Sequence, residues 1–216
     1  MQKTALVIGS TGFLGRAVVK ALSDSAWTGA RLLHVTDDSS SLKCPARASS
    51  PFPFLATPDL TSTSSPFRVV ISCAGGFIPS GDDISVSHSI ALSDKMMQMN
   101  LHSGLNAVSL ARNHRAKGLV LVGSRAVYEA AVIPLNMLHY GLAKDAVHRL
   151  AVTVGEHTDL SVLLVLPSTM DTLTNRQAMP NADPSKWVKP ETIALDVEKW
   201  ASQLDGKKQP LQILKH

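Results

Sequence analysis

Tyr140 and Lys144 lie four positions apart in the stretch His139-Tyr140-Gly141-Leu142-Ala143-Lys144-Asp145-Ala146. On a helix this spacing sets both side chains on one face, a turn apart. An ammonium beside a phenol favours the phenolate. It draws a tyrosine down from its reference value of about 10 toward the range where it exchanges protons usefully. The lysine is also long enough to hydrogen-bond a ribose hydroxyl, so one helical turn can hold a proton donor and a bound cofactor. Y-x-x-x-K is common on ordinary helix surfaces, and it acquires meaning only from the rest of the chain.

The elements that would position the pair begin near the first residue. Ala5 to Ile8 is a short apolar strand, followed at once by Gly9-Ser10-Thr11-Gly12-Phe13-Leu14-Gly15 and a helical pattern from Arg16 to Leu22. Strand, G-x-x-G-x-x-G and helix in succession let the backbone turn tightly and approach a pyrophosphate, which then sits on the helix N-terminal amides. Arg31 to Asp37 reads as a second strand. Asp37 at its end is placed to bind adenosine ribose hydroxyls and to repel a 2′-phosphate, with Asp38 the adjacent competitor. No arginine follows immediately, which favours NADH over NADPH. Arg68 to Cys73 is a buried strand ending in Ala74-Gly75-Gly76, at the sheet edge where ligands of open α/β folds bind. Phe77 comes next and is a candidate wall for a flat substrate.

Composition fits such a fold. In 216 residues, 44% are hydrophobic and 18% charged, which suits one α/β domain over residues 1–216. Twenty-one basic residues against 17 acidic ones give a net charge of +4, with the basic residues scattered along the chain, so a nucleic-acid surface is not indicated. Cys44 and Cys73 form no metal or redox spacing. With no leader-like N-terminus and no apolar run near the roughly 20 residues a membrane span needs, a cytoplasmic protein without membrane contact is expected. Residues 39–66 hold eight serines and five prolines and read as an extended surface segment, with Phe52 to Ala56 at best an edge strand.

Beyond a loop over 77–90, a long helical pattern from Ile90 to Arg115 contains one polar exception, Asn100. A strand over 118–123 has Ser124 just past its end. A loop over 125–138 leads into the Tyr140 helix, which runs to about His157. Ser161 to Leu166 is a strand ending in Pro167-Ser168-Thr169-Met170-Asp171-Thr172. An irregular polar stretch over 175–187, a helix over 190–204 and a strand over 211–214 follow. The sum is a doubly wound, Rossmann-type parallel sheet. The helices carrying Met96, Met99, Leu142, Val147 and Leu150 hold more apolar surface than one sheet face requires, which predicts a homodimer through 92–114 and 139–157, or a tetramer built from it.

The glycine turn, Ala74-Gly75-Gly76, Asn100, Ser124 and Tyr140/Lys144 occur in the order of a short-chain dehydrogenase/reductase, and the resemblance covers nearly the whole chain. A narrower likeness rests on Tyr140 to His148 and on the long segment from Leu166 to Asp183, followed by Trp187. Both resemble quinonoid dihydropteridine reductases. That family has alanine and serine where this chain has Ser124 and Asn100, and a longer, less serine-rich segment in place of 39–66.

The resemblance implies a pterin-recycling homodimer that reduces quinonoid dihydropterin (dihydrobiopterin) to tetrahydropterin with NADH and no metal. Gly9 to Gly15, Asp37, Ala74, Gly75, Gly76, Tyr140, Lys144 and Pro167 would hold the cofactor, with Thr172 on the nicotinamide carboxamide. Tyr140 would supply the proton and Lys144 grip the ribose. Ser124 would orient substrate or tyrosine, Asn100 would support a water by the lysine, and Phe77 would line the substrate. The alternatives are a short-chain reductase of another carbonyl or pterin compound, and a non-catalytic cofactor sensor on the same fold.

Overall fold

Runs of aliphatic residues, each closed by glycine or a polar turn, build the strands. The computed structural model describes residues 4–25, 27, 33–35, 67–80 and 86–216. In chain order these give β1 (Ala5–Ile8), α1 (Phe13–Asp24), β2 (Leu33–Val35), β3 (Val69–Ser72), α2 (Val86–Met96) and a π-helical segment (Met97–His102). Then come α3 (Ser103–Asn113), β4 (Gly118–Val122), α4 (Arg125–Glu129), a 3₁₀ turn (Leu135–Met137), α5 (Leu138–His157) and β5 (Ser161–Leu166). The last elements are α6 (Leu173–Ala178), a second 3₁₀ turn (Pro184–Lys186), α7 (Pro190–Ser202) and β6 (Gln212–Lys215).

The strands form one sheet of order β2-β1-β3-β4-β5-β6, and every pairing is parallel. This is the doubly wound architecture the glycine turn and strand spacing predict. Both faces are covered, so successive strand residues alternate between two cores. Leu6, Ile8, Val70, Leu119, Leu121, Val162, Leu164 and Leu166 pack in one core with residues of α3 and α5. Ala5, Val7, Val69, Ile71, Val120, Leu163 and Val165 pack in the other with residues of α1 and α7. The chain order reverses at β1, whose neighbours are β2 and β3. That switch point opens a crevice at the carboxyl ends of the strands, where ligands of this architecture bind.

Several expectations are corrected. The long helix is interrupted by six π-helical residues, and part of the expected 77–90 loop, from Val86 on, is already helical. The supposed loop over 125–138 contains α4 and a 3₁₀ turn, and the supposed irregular stretch over 175–187 begins within α6 and contains the second 3₁₀ turn. Thr172 caps α6 by accepting the Asn175 N–H at 3.2 Å, and Asp183 caps the 3₁₀ turn by accepting that of Ser185 at 3.0 Å. These caps make short helices from polar sequence. Met96 and Val147 are buried inside the subunit and cannot belong to a dimer face; among the described residues the exposed large apolar side chains on α2, α3 and α5 are Ile90, Leu105 and Leu142. Asp37, Asp38, Cys44 and the 39–66 segment lie outside the described residues. Among the described residues no helix is long and apolar enough to cross a membrane.

Candidate active site

The glycine turn follows β1 directly. Gly9 has φ +74°, a conformation that costs glycine little and other residues much, and a Cβ there would stand 2.5 Å from the Ala74 nitrogen. The absent side chain lets β1 and β3 bring their ends together. A Cβ on Gly15 would strike the Gly9 carbonyl and stand 2.7 Å from Ser10 Cα, so α1 approaches the turn as closely as a backbone can. Gly12 opens α1 with no side-chain cap, and the first amides of the helix are left for a ligand. Thr11, Gly12 and Phe13 are exposed along this turn, whereas Leu14 turns its side chain into the core. A cradle that any Cβ would fill, at an uncapped helix start, fits a dinucleotide pyrophosphate.

Beyond β3, Asn100 clamps the glycine floor. Its Oδ1 accepts the Gly76 N–H at 3.2 Å, and its Nδ2 donates to the Gly76 and Met96 carbonyls, each at 3.0 Å. The amide is committed to backbone groups, and what it does in this structure is hold Gly76. Asn100 reaches Gly76 from the middle of the π-helical segment, a distortion that recurs at functional sites. Ser103 Oγ lies 2.9 Å from the Asn100 carbonyl and 3.2 Å from that of Met99, a partner for carbonyls the wide turn leaves. A Cβ on Gly75 would meet Asn100 Oδ1 at 2.8 Å and Lys144 Nζ at 3.3 Å, so floor, clamp and lysine converge on one point.

Tyr140 and Lys144 do share one face of α5. Lys144 is buried, donates from Nζ to the Val122 carbonyl at 2.8 Å, and sits 5.8 Å from the centroid of the Tyr140 ring. Burial lowers its pKa to about 8, which leaves it mostly charged at pH 7. Tyr140 departs from expectation: burial raises its pKa, and hydrogen bonding by Ser124 acts in the opposite sense but does not prevail. The lysine ammonium, held by a carbonyl, does not turn the phenol into a phenolate here. Tyr140 therefore keeps its proton through neutral pH, as a donor must.

Ser124 is buried just after β4, with its amide donating to Nε2 of His148 at 3.1 Å. Phe77 is half exposed and meets the Tyr140 ring edge to face, centroids 5.1 Å apart at 81°. The Asn136 carbonyl accepts the Ser80 amide at 2.9 Å, which ties the segment after Phe77 to the turn before α5. Pro167 is buried and its carbonyl accepts the Arg125 N–H at 2.9 Å, while the Thr172 hydroxyl serves as the α6 cap and retains a proton to donate. His148 was missed in the sequence, although its spacing (Tyr140, Lys144, His148) puts it on the same helix face one turn on.

Residues 5–178 match the family described as the NAD dependent epimerase/dehydratase family. The chain is 26% identical over 217 residues to a dihydropteridine reductase of Dictyostelium discoideum, covering 96% of this chain and 91% of that one. In structure it is similar to a short-chain dehydrogenase/reductase of Serratia marcescens, with TM-score 0.72, 20% identity, and 100% and 96% of the two chains covered. It is similar too to an alcohol dehydrogenase of Thermococcus sibiricus complexed with 5-hydroxy-NADP, with TM-score 0.72, 18% identity and coverage of 100% and 96%. With its glycine turn and switch-point crevice inside the matched region, the chain belongs to the NAD dependent epimerase/dehydratase family, on the fold of the short-chain dehydrogenases/reductases.

Proposed function

We propose that this oxidoreductase of the short-chain dehydrogenase/reductase type reduces quinonoid dihydropterin to tetrahydropterin with NADH. The observation that carries the reading is the protonated, partly buried Tyr140 beside the half-exposed Phe77 at the rim of the Gly75–Gly76 floor. The likeness along 96% of the chain to a dihydropteridine reductase supports it. A flat, nearly neutral ring needs a stacking wall and a few placed polar groups, and Phe77 with Gly75 and Gly76 supplies the wall and floor.

When bound, the reduced nicotinamide supplies hydride. The protein's own residues do the rest. Gly9 to Gly15 cradle the pyrophosphate, with Asp37 on the adenosine ribose. Ala74 to Gly76, Pro167 and Thr172 line the nicotinamide half. Lys144 holds the ribose hydroxyls with its ammonium, and Tyr140 delivers a proton from its phenol oxygen. Ser124, whose hydroxyl acts to lower the pKa of the phenol, would stabilise the phenolate left behind.

A second reading, reduction of another carbonyl compound, is favoured by Ser124, because a hydroxyl beside the phenol suits a carbonyl oxygen. The deciding experiment follows NADH oxidation with the quinonoid and 7,8-dihydropterin isomers supplied separately. Turnover of the quinonoid form, with little of the less conjugated 7,8-isomer, is expected. No turnover of the quinonoid form, or faster turnover of the other, overturns the pterin assignment.

A further inference from the structure

His148 is buried at the end of β4 in space that a glycine leaves for it. A Cβ on Gly123 would stand 2.6 Å from His148 Cδ2 and 2.8 Å from Leu166 Cδ2. In that space Nε2 accepts the Ser124 N–H. A ring nitrogen that accepts carries no proton, so the proton of the neutral imidazole sits on Nδ1. Nδ1 is buried without a hydrogen bond, and the largely exposed Asp145 carboxylate is 3.9 Å away.

The other groups facing the ring are few. Lys144 lies on the same helix, and Tyr128 of α4 meets the ring edge-on at 5.4 Å. Beyond Tyr128, Glu129 pairs with Arg125 and Lys215 at the surface. Burial outweighs the attraction of Asp145 and holds the pKa of His148 at about 4, so the acceptor persists at neutral pH.

A buried imidazole with one unsatisfied nitrogen is a costly way to fill space, since an aliphatic side chain would fill it without that loss. What the imidazole adds is an acceptor for the amide of Ser124, at the point where the chain leaves the sheet. We propose that His148 is a positioning residue of the site: by holding the Ser124 amide through Nε2, it fixes the serine hydroxyl against the Tyr140 phenol. This rests on the reading of Tyr140 as proton donor.

The test compares two variants in the full chain. H148Q can offer Oε1 where Nε2 stood, whereas H148L keeps bulk and removes the acceptor; H148M replaces H148L if that variant does not fold. Steady-state kcat and the KM for NADH are measured with quinonoid dihydropterin, and hydrogen exchange of the Ser124 amide by NMR reports the contact without turnover. A misplaced reacting group costs on the order of 10- to 100-fold in rate. H148L should lose that much in kcat with little change in the KM for NADH, and its Ser124 amide should exchange faster. H148Q should restore both. Wild-type kcat in H148L, equal loss in H148Q and H148L, or unchanged Ser124 exchange overturns the role. Y140F runs alongside: retained activity there refutes Tyr140 as donor, a failure separate from that of His148.

Discussion

Lys144→Met should stabilise the protein at neutral pH while abolishing turnover. The buried ammonium has a pKa of about 8 in place of the ordinary lysine value of 10.5, because burial penalises the charged form. That gap corresponds to about 3 kcal/mol of cost in the folded state. Below pH 8 both folded and unfolded lysine hold the proton, and the whole cost stands. Between pH 8 and 10.5 the unfolded lysine keeps a proton the folded one has released, so wild-type stability gained from this group rises with pH. Above 10.5 both are neutral and the cost is gone. Methionine keeps the aliphatic bulk but leaves the Val122 carbonyl without its 2.8 Å donor, a loss of about 1 kcal/mol. The variant should therefore be more stable than wild type by about 2 kcal/mol at pH 7, and less stable by about 1 kcal/mol once the lysine is neutral. Urea unfolding of both proteins at pH 7 and near pH 10.5 reads the difference, in which the titration of every other group cancels. A variant destabilised at pH 7, or a difference that does not change with pH, would refute the reasoning.

Three other outcomes are open to measurement. Asn100→Ala releases Gly76 from its clamp at about 1 kcal/mol per hydrogen bond, so the melting temperature should fall and the KM for NADH should rise; an unchanged KM would remove Asn100 from the cofactor floor. If Asp37 binds the adenosine ribose, like-charge repulsion of a 2′-phosphate should favour NADH over NADPH by at least ~10-fold in kcat/KM, roughly 1.4 kcal/mol, and equal values would dismiss that role. The exposed Leu105 and Leu142 suit pairing of α3 and α5 between two copies; sedimentation should show a dimer that Leu142→Glu weakens, and a monomer at micromolar concentration would exclude it.

Sequence alone was informative where one residue type answers one physical demand. Gly9 and Gly15 stand where a Cβ has no room, and the aliphatic strands must be apolar on both sides, so glycine turn, parallel doubly wound sheet and ligand-binding sheet edge were all readable. Tyr140 and Lys144 could be placed on one face by counting. Their electrostatics could not, because the pKa of Tyr140 follows burial, and burial is set by chain segments far off in sequence. The π-helical turn was hidden for a similar reason. Met97-Gln98-Met99-Asn100-Leu101-His102 has no helix breaker, and only the hold of Asn100 on Gly76 and Met96 shows what the distortion serves. Thr172 and Asp183 were visible as residue types, but α6 and the turn after it are short and polar, with no apolar stripe to announce them.

The wide turn between α2 and α3 makes the length of this helix a specification in its own right. An α-helix advances about 100° per residue, so taking one residue from the Met97–His102 segment would rotate everything after it by that angle. Either Ser103, Ala107, Leu110 and Ala111 would leave the sheet, or Asn100 would leave Gly76. Both losses cannot be avoided by one backbone. The segment should thus tolerate changes of identity at a partly exposed position such as Gln98 while rejecting its deletion. Related chains would then vary in letters here far more readily than in count, and an alignment gap in this stretch would mark a protein whose cofactor floor is held in another way.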